Sequence, residues 1–257
     1  MGVMTKAAPV CGNPWNLEHG GCAALSLPAD ESIAAVARAQ VRGLLNSLGL
    51  AVHNVHDLAV MVSELATNVL QHATAGPDVP GAELWVYQRG GECGRDELVV
   101  KAFDTVRQWH PRTHTPDDLL EHGRGLQLIE ILANGRWGHH PSRSRLSSPS
   151  VRGKATWFAV PVSRASHGRR HPAPVDEPHA MRNLQALLVQ RGVDRLAPRE
   201  ELGVTVLSSP GDLTVWCETS TFRWCARSGE TGKLPVTDIT EVCEQLVRLH
   251  EAMDDRG

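Results

Sequence analysis

The chain has 257 residues, enough for one large domain or two modest ones. Its apolar share of 41% is ordinary for a globular protein, and a formal net charge of -3 gives no electrostatic footprint for nucleic acid or an acidic membrane surface. The N-terminus lacks a basic start followed by an apolar run, and no apolar stretch approaches the roughly 20 residues that span a bilayer. The expectation is therefore a cytoplasmic protein with reduced thiols, no membrane contact and no direct nucleic-acid binding.

In chain order, residues 1–22 read as a loose tail, and Ala23 to Leu27 as a short strand. Apolar positions Ile33, Val36, Ala37, Val41, Leu44, Leu45 and Leu48 recur at helical spacing, which predicts a helix over 32–48 ended by Gly49. A second helix is predicted over 53–73, closed by Gly76-Pro77. Strands follow at 83–88 and 97–103, the second apolar enough to be central. The polar stretch 105–121 is expected to be a long loop, and long loops in compact domains tend to be functional. A helix over 126–133, a strand over 136–140, a Ser/Arg-rich loop over 141–153 and a strand over 155–162 complete a first unit, 23–162. Three prolines and an Arg-Arg pair mark 163–178 as a linker. Beyond it, 179–257 reads as a small α+β unit: a helix over 179–192, two or three strands between 202 and 226, and a helix over 236–253.

Thirteen histidines are scattered, with no cysteines at zinc-finger spacing beside them. The six cysteines include no Cys-x-x-Cys; Cys217 and Cys225 could meet across a hairpin but are expected to be packing residues. The informative stretch is Ser63-Glu64-Leu65-Ala66-Thr67-Asn68-Val69-Leu70-Gln71-His72-Ala73. Glu64, Asn68 and His72 recur every four residues, so they share one side of the helix while the apolar residues cover the other. The stripe is either solvated or chemical. Chemically it suits phosphate and magnesium: Asn offers a hard carbonyl oxygen to Mg²⁺, and a carboxylate one turn earlier can act as base towards a hydroxyl or water aimed at a terminal phosphate.

Three further elements are weak singly. Asp104 ends the strongest strand, where a carboxylate can accept from an exocyclic amine or simply make a turn. Gly123-Arg124-Gly125-Leu126 opens a helix, whose N-terminal amides and dipole suit phosphate; a flexible hinge is the plain alternative. Gly153-Lys154-Ala155-Thr156-Trp157-Phe158 enters the last strand of the first unit, where Thr156 could bring a hydroxyl near a base.

In this order the four elements resemble the GHKL superfamily of gyrase, Hsp90, histidine kinases and MutL-type ATPases, and within it the bacterial anti-sigma-factor serine/threonine kinases. The resemblance covers about 23–162. It implies a two-layer α/β (α+β) sandwich of the Bergerat, histidine-kinase-like type with a mixed sheet. It implies ATP and Mg²⁺ as cofactors, with Asn68 holding the metal and Glu64 as general base. Asp104 would recognise the adenine amine, Gly123, Arg124, Gly125 and Leu126 would cap the phosphates, Thr156 would support the base, and 105–122 would form the lid. The implied function is an ATP-dependent kinase that phosphorylates an antagonist protein and sequesters a sigma factor, with a homodimer as a common state in that branch. One departure is that the usual Asp-x-Gly-x-Gly box is here Asp104-Thr105-Val106-Arg107-Gln108, without glycine. The alternative is a nucleotide- or protein-binding regulator without catalysis. A metal-dependent hydrolase would need a His-x-x-x-His pair with its Glu, which the chain lacks.

Overall fold

The computed structural model describes residues 20–72, 81–91, 96–107, 124–164, 176–201, 204–209 and 213–254. Strand β1 (Cys22–Ser26) leads into helix α1 (Ile33–Leu48). Gly49 ends α1 in the left-handed region at φ 61°, donating its N–H to carbonyls of Leu45 and Asn46, a cap that glycine adopts without strain. A three-residue strand β2 (Leu50–Val52) precedes α2 (Val55–His72). The hairpin β3 (Glu83–Gly90) and β4 (Asp96–Asp104) follows, then α3 (Arg124–Leu132), β5 (Trp137–Arg143) and β6 (Arg152–Arg164).

These strands form one sheet in the order β1-β3-β4-β6, with β5 and β2 end to end along the far edge of β6. Every pairing is antiparallel, which corrects the expected mixed sheet. The reason lies in the connections. Two helices separate β1 from β3, so the chain returns in the opposite sense. Among the described residues one helix, α3, lies between β4 and β5, which run the same way, but β6 inserts between them and pairs antiparallel with both.

The two faces of the sheet differ. Leu84, Val86, Leu98, Val100, Phe158 and Val160 point to α1–α3 and pack with Ile33, Val41, Leu58, Met61, Leu65 and Val69. The opposite face carries Trp85, Tyr87, Val99, Phe103 and Ala155, with Trp85 and Phe103 stacked at 5.3 Å between ring centroids. It also carries Lys101, at 2% exposure in the middle of β4.

That second face is covered by the other unit. Helix α4 (Glu177–Gln190) begins under the side chain of Asp176, which accepts from the His179 N–H. A meander follows: β7 (Ala197–Glu201), β8 (Val204–Ser209), β9 (Leu213–Glu218), β10 (Thr221–Ala226) and β11 (Thr231–Pro235), paired in sequence order. Three of these, β8 to β10, are the strands expected between 202 and 226; β7 and β11 flank them and were not expected. After a short 3-10 turn over Val236–Asp238 comes α5 (Ile239–Asp254). Val242, Cys243, Leu246 and Val247 join α5 to α4 and the meander in a core with Leu184, Leu188, Val215 and Phe222. Cys217 and Cys225 do not face each other: Cys217 lies opposite Phe222, Cys225 lies opposite Thr214, and both are free thiols, one buried and one exposed.

The polar side of α5 meets the sheet. Glu244 accepts from Arg145 at 2.7 Å and from Arg191, and pairs with Lys101 at 3.3 Å. Burial would raise its carboxyl, but Arg191, Lys101 and Arg145 hold it well below the usual carboxylate range. Glu241 accepts from Tyr87 at 2.5 Å and Arg89 at 3.1 Å. Gly90 N–H donates to Asp238 at 2.9 Å, and Thr240 donates to the Gly20 carbonyl, so residues 20–22 belong to the structure rather than to a tail. Of the expected linker 163–178, β6 holds the beginning and α4 the end; 165–175 lie outside the described residues, as do 1–19.

His140 adjoins this network. Its Nδ1 bonds the Pro141 carbonyl at 2.9 Å and its Nε2 faces the Lys101 ammonium at 3.2 Å. Nδ1 can only donate to a carbonyl and Nε2 can only accept from an ammonium, so the ring is neutral. Burial, then the Lys101 cation, push its pKa down to about 3. The folded value lies below the unfolded one, so unfolding takes up a proton as pH falls below about 6.5. Stability is therefore complete above pH 6.5 and declines towards pH 3. Between pH 6.5 and 5, denaturant titration should show a loss of about 1–2 kcal/mol from this group. A His140→Gln protein should lack that part of the slope; an unchanged slope would mean that the imidazole is not held neutral.

Candidate functional site

The site residues named from sequence sit on three elements of the helix-side layer: α2, the start of α3 and the β4–β6 ladder. On α2, Val62, Leu65, Ala66 and Val69 are buried against the sheet, while Glu64 and Asn68 are half-buried on a different side, as the four-residue spacing requires. His72 is the last residue of α2, and its side chain lies outside the described set.

The start of α3 closes on Glu64. A Cβ built at Gly125 would lie 2.5 Å from Glu64 Oε2 and 3.7 Å from its Cβ, so any larger residue would meet the carboxylate. Gly125 thus leaves room for the Glu64 carboxylate against α3, a role sequence alone did not suggest. Arg124 opens α3 and Leu126 packs partly buried against the main core. Gly123 and residues 108–122, which include most of the expected lid, lie outside the described residues.

The third element is the β4–β6 ladder. Asp104 pairs in register with Lys154, and Ala102 with Thr156. Alternation puts Asp104, Lys154 and Thr156 on the same face as Leu98 and Val100, that is, towards the helices. Asp104 Oδ1 accepts from the Val106 N–H at 2.9 Å and pairs with Lys154 Nζ at 3.3 Å. Burial raises its pKa, against the pull of Lys154 and of the Val106 amide. Gly153 has its own steric reason. A Cβ there would overlap the backbone carbonyl of Asp104 and come 2.7 Å from the Phe103 ring.

Three buried polar atoms here have no hydrogen-bond partner among the described residues: Asn68 Nδ2, Asp104 Oδ2 and Thr156 Oγ1. Buried polar groups are almost always paired, because an unmet donor or acceptor costs roughly 1–3 kcal/mol. Three such atoms, all on residues named beforehand from sequence, fit a polar ligand with its own donors and acceptors. Asp104 offers a carboxylate oxygen to an amine, Thr156 a hydroxyl, and Asn68 an N–H donor that suits an anionic oxygen such as that of a phosphate; the Asn68 amide oxygen, which would suit a hard cation, is not one of the three atoms.

Among the described residues, no group of three or more His, Cys, Asp or Glu side chains is arranged to hold a metal ion. No helix among them is long and apolar enough to cross a membrane.

Sequence reasoning missed Lys154 as a partner of Asp104. The signal was present, since a lysine two residues before Thr156 in an alternating strand must share its face. It also missed His139, which sits opposite Thr156 across the β5–β6 ladder.

No family model matches the chain. The chain is 30% identical over 117 residues to the serine-protein kinase RsbW of Bacillus pumilus (strain SAFR-032), covering 42% of this chain and 72% of that one. It is 31% identical over 117 residues to RsbW of Bacillus velezensis, covering 42% and 71%, and 30% identical over 118 residues to RsbW of Bacillus licheniformis, covering 41% and 70%. With nearly three quarters of a relative's length matched, and with the helix, strand-end and glycine elements in one fold, the chain belongs to the family of RsbW-type serine-protein kinases.

Proposed function

We propose that residues 23–162 form a GHKL-type nucleotide site and that the protein transfers the terminal phosphoryl group of ATP to a serine or threonine of a partner antagonist protein. The observation that carries this reading is the set of unpartnered buried atoms on Asn68, Asp104 and Thr156. Similarity to serine-protein kinases supports the choice of acceptor.

Asp104, fixed by Val106 and Lys154 through Oδ1, keeps Oδ2 to accept from the adenine amine. Thr156 adds a hydroxyl beside it. Asn68 would hold Mg²⁺, which when bound neutralises phosphate charge. Glu64, one turn before Asn68, takes the proton from the attacking hydroxyl. The N-terminal turn of α3 presents backbone N–H groups, and Gly125 lets that turn approach Glu64. Phosphoryl transfer asks mainly for such positioning and charge compensation. The protein would act in a partner-switching pathway in the cytoplasm, sequestering a sigma factor, and could do so as a homodimer.

A non-catalytic reading is favoured by one feature. Arg107, where the family has a glycine-bearing segment, is bonded to Glu251 of α5. Such a protein would bind nucleotide without transferring phosphate.

The two readings separate by calorimetry and radiolabel transfer. Asn68→Ala should lower Mg-ATP affinity at least about tenfold, the loss expected for one charge-assisted contact. Glu64→Gln should leave affinity within about threefold while cutting transfer to an antagonist by about 100-fold or more, the usual share of a general base. Tight binding with no transfer by the native chain, to any antagonist tried, would favour the non-catalytic regulator. No binding of ATP by the folded native chain would remove the nucleotide site itself.

Gly125→Ala gives a sharper geometric test. The nearest atom to the new methyl is the far end of the Glu64 side chain, which can swing away at little cost in stability. The melting temperature should therefore change by only a few degrees, in line with roughly 1 kcal/mol. Transfer should fall about as far as in Glu64→Gln, because the carboxylate is displaced. Normal transfer in a folded Gly125→Ala protein would show that Glu64 need not sit against α3.

A further inference from the structure

Helix α5 ends on a buried carboxylate that no part of the proposed reaction uses. Glu251 has 0% of its surface exposed. Its Oε2 accepts from Arg107 Nη1 at 2.7 Å and from Arg152 Nε at 2.9 Å, and its Oε1 from Arg143 Nε at 2.5 Å. Its backbone carbonyl accepts from Arg107 Nη2 at 3.2 Å.

The three arginines lie at, or just beyond, the ends of three neighbouring strands. Arg107 lies three residues beyond Asp104, the last residue of β4. Arg152 is the first residue of β6, and Arg143 the last of β5. Arg143 and Arg152 are register partners, and two residues further along β6 Lys154 is the register partner of Asp104. Glu251 therefore ties together the strand ends that carry the Asp104–Lys154 pair.

There is little slack between tie and pair. Gly153, between Arg152 and Lys154, leaves no room for a methyl against the Asp104 carbonyl and the Phe103 ring. A shift of the first residues of β6 must move the backbone of Asp104 with it. A tightly packed region transmits displacement in this way, whereas a loose one absorbs it.

We infer that Glu251 is a positioning residue for base recognition: through Arg107, Arg152 and Arg143 the second unit sets where the Asp104 carboxylate stands, and with it the preference for a 6-amino purine. This rests on the nucleotide reading proposed above. It assigns to residues 179–254 a part in nucleotide selection, by way of α5, rather than a separate activity.

The test uses the full chain and two probes, Mg-ADP and Mg-inosine diphosphate. Inosine carries a carbonyl where adenine carries the amine, so it presents an acceptor to Asp104 Oδ2. Calorimetry should show the native chain binding ADP more tightly than inosine diphosphate by about tenfold or more, the worth of a hydrogen bond to a charged group. In Glu251→Gln the ratio of the two affinities should fall at least about threefold. A loss of stability alone lowers both affinities together and leaves the ratio unchanged. Because Glu251→Gln leaves three arginines around a neutral group and could unfold, Arg107→Gln is measured beside it. That change keeps Arg143 and Arg152 on Glu251 and should lower the ratio in the same direction in a folded protein. A native ratio in every folded variant would overturn the role of Glu251 while leaving the nucleotide site standing. No ADP binding by the native chain would overturn both.

Discussion

Glu244 at 1% exposure, surrounded by Arg145, Arg191 and Lys101, is the contact on which the arrangement of the chain depends. Removing a carboxylate or an ammonium from water costs several kcal/mol, and only well-placed opposite charges offset it. Helix α5 carries three such carboxylates, Glu241, Glu244 and Glu251, each at 3% exposure or less. Each meets cations or donors that the first sheet supplies: Tyr87 and Arg89 for the first, Lys101 and Arg145 for the second, Arg107, Arg143 and Arg152 for the third. An apolar face could slide over an apolar sheet with modest loss. A helix with three fixed charges has one register, because any other would leave a buried charge unmatched.

This constraint gives the sheet two different faces. The face towards α1–α3 is an aliphatic core that rises, at one end, to the polar atoms of Asp104 and Thr156. The other is an ionic and aromatic layer in which Arg191 and Arg145 lie over the Trp85 ring at 4.7 and 5.3 Å. Strands β3 and β4 are buried on both sides, so their backbones have few ways to relax. That rigidity suits a site whose recognition rests on one carboxylate oxygen, since a binding group held loosely loses both affinity and discrimination.

The parts legible in the sequence are those fixed by local periodicity. The repeat of Ile33, Ala37, Val41 and Leu45 shows α1 to within a residue, and the run from Leu98 to Phe103 is the central strand. The four-residue interval between Glu64 and Asn68 placed them together on α2, and the alternation of β6 placed Thr156. The parts that were not legible depend on partners distant in the chain. Strand β7, Ala-Pro-Arg-Glu-Glu, has almost no β-forming residues and exists because β8 pairs with it. Strand β5 extends through Pro141, which an edge strand tolerates and which sequence alone reads as a break. Antiparallel pairing throughout followed from β6 inserting between β4 and β5, an event of topology that no local pattern records.

The charged stripe on α5 is the most instructive case. Glu241, Glu244, Arg248 and Glu251 recur at helical spacing opposite Val242, Leu246 and Leu249, the pattern of an ordinary surface helix with a solvated side. What distinguishes it is the unusual content of the other surface: Lys101 inside an apolar strand, Arg143 at the end of β5 and Arg145 in the Ser-rich loop that follows. Each looks incidental alone. A buried lysine in a central strand requires an anion above it, and the last described helix supplies it in Glu244. The pairing could have been reasoned from Lys101 outward, by asking what neutralises it rather than what repeats near it. The same question leads from Arg107 to Glu251, so that the segment departing from the family's glycine box is held by the second unit.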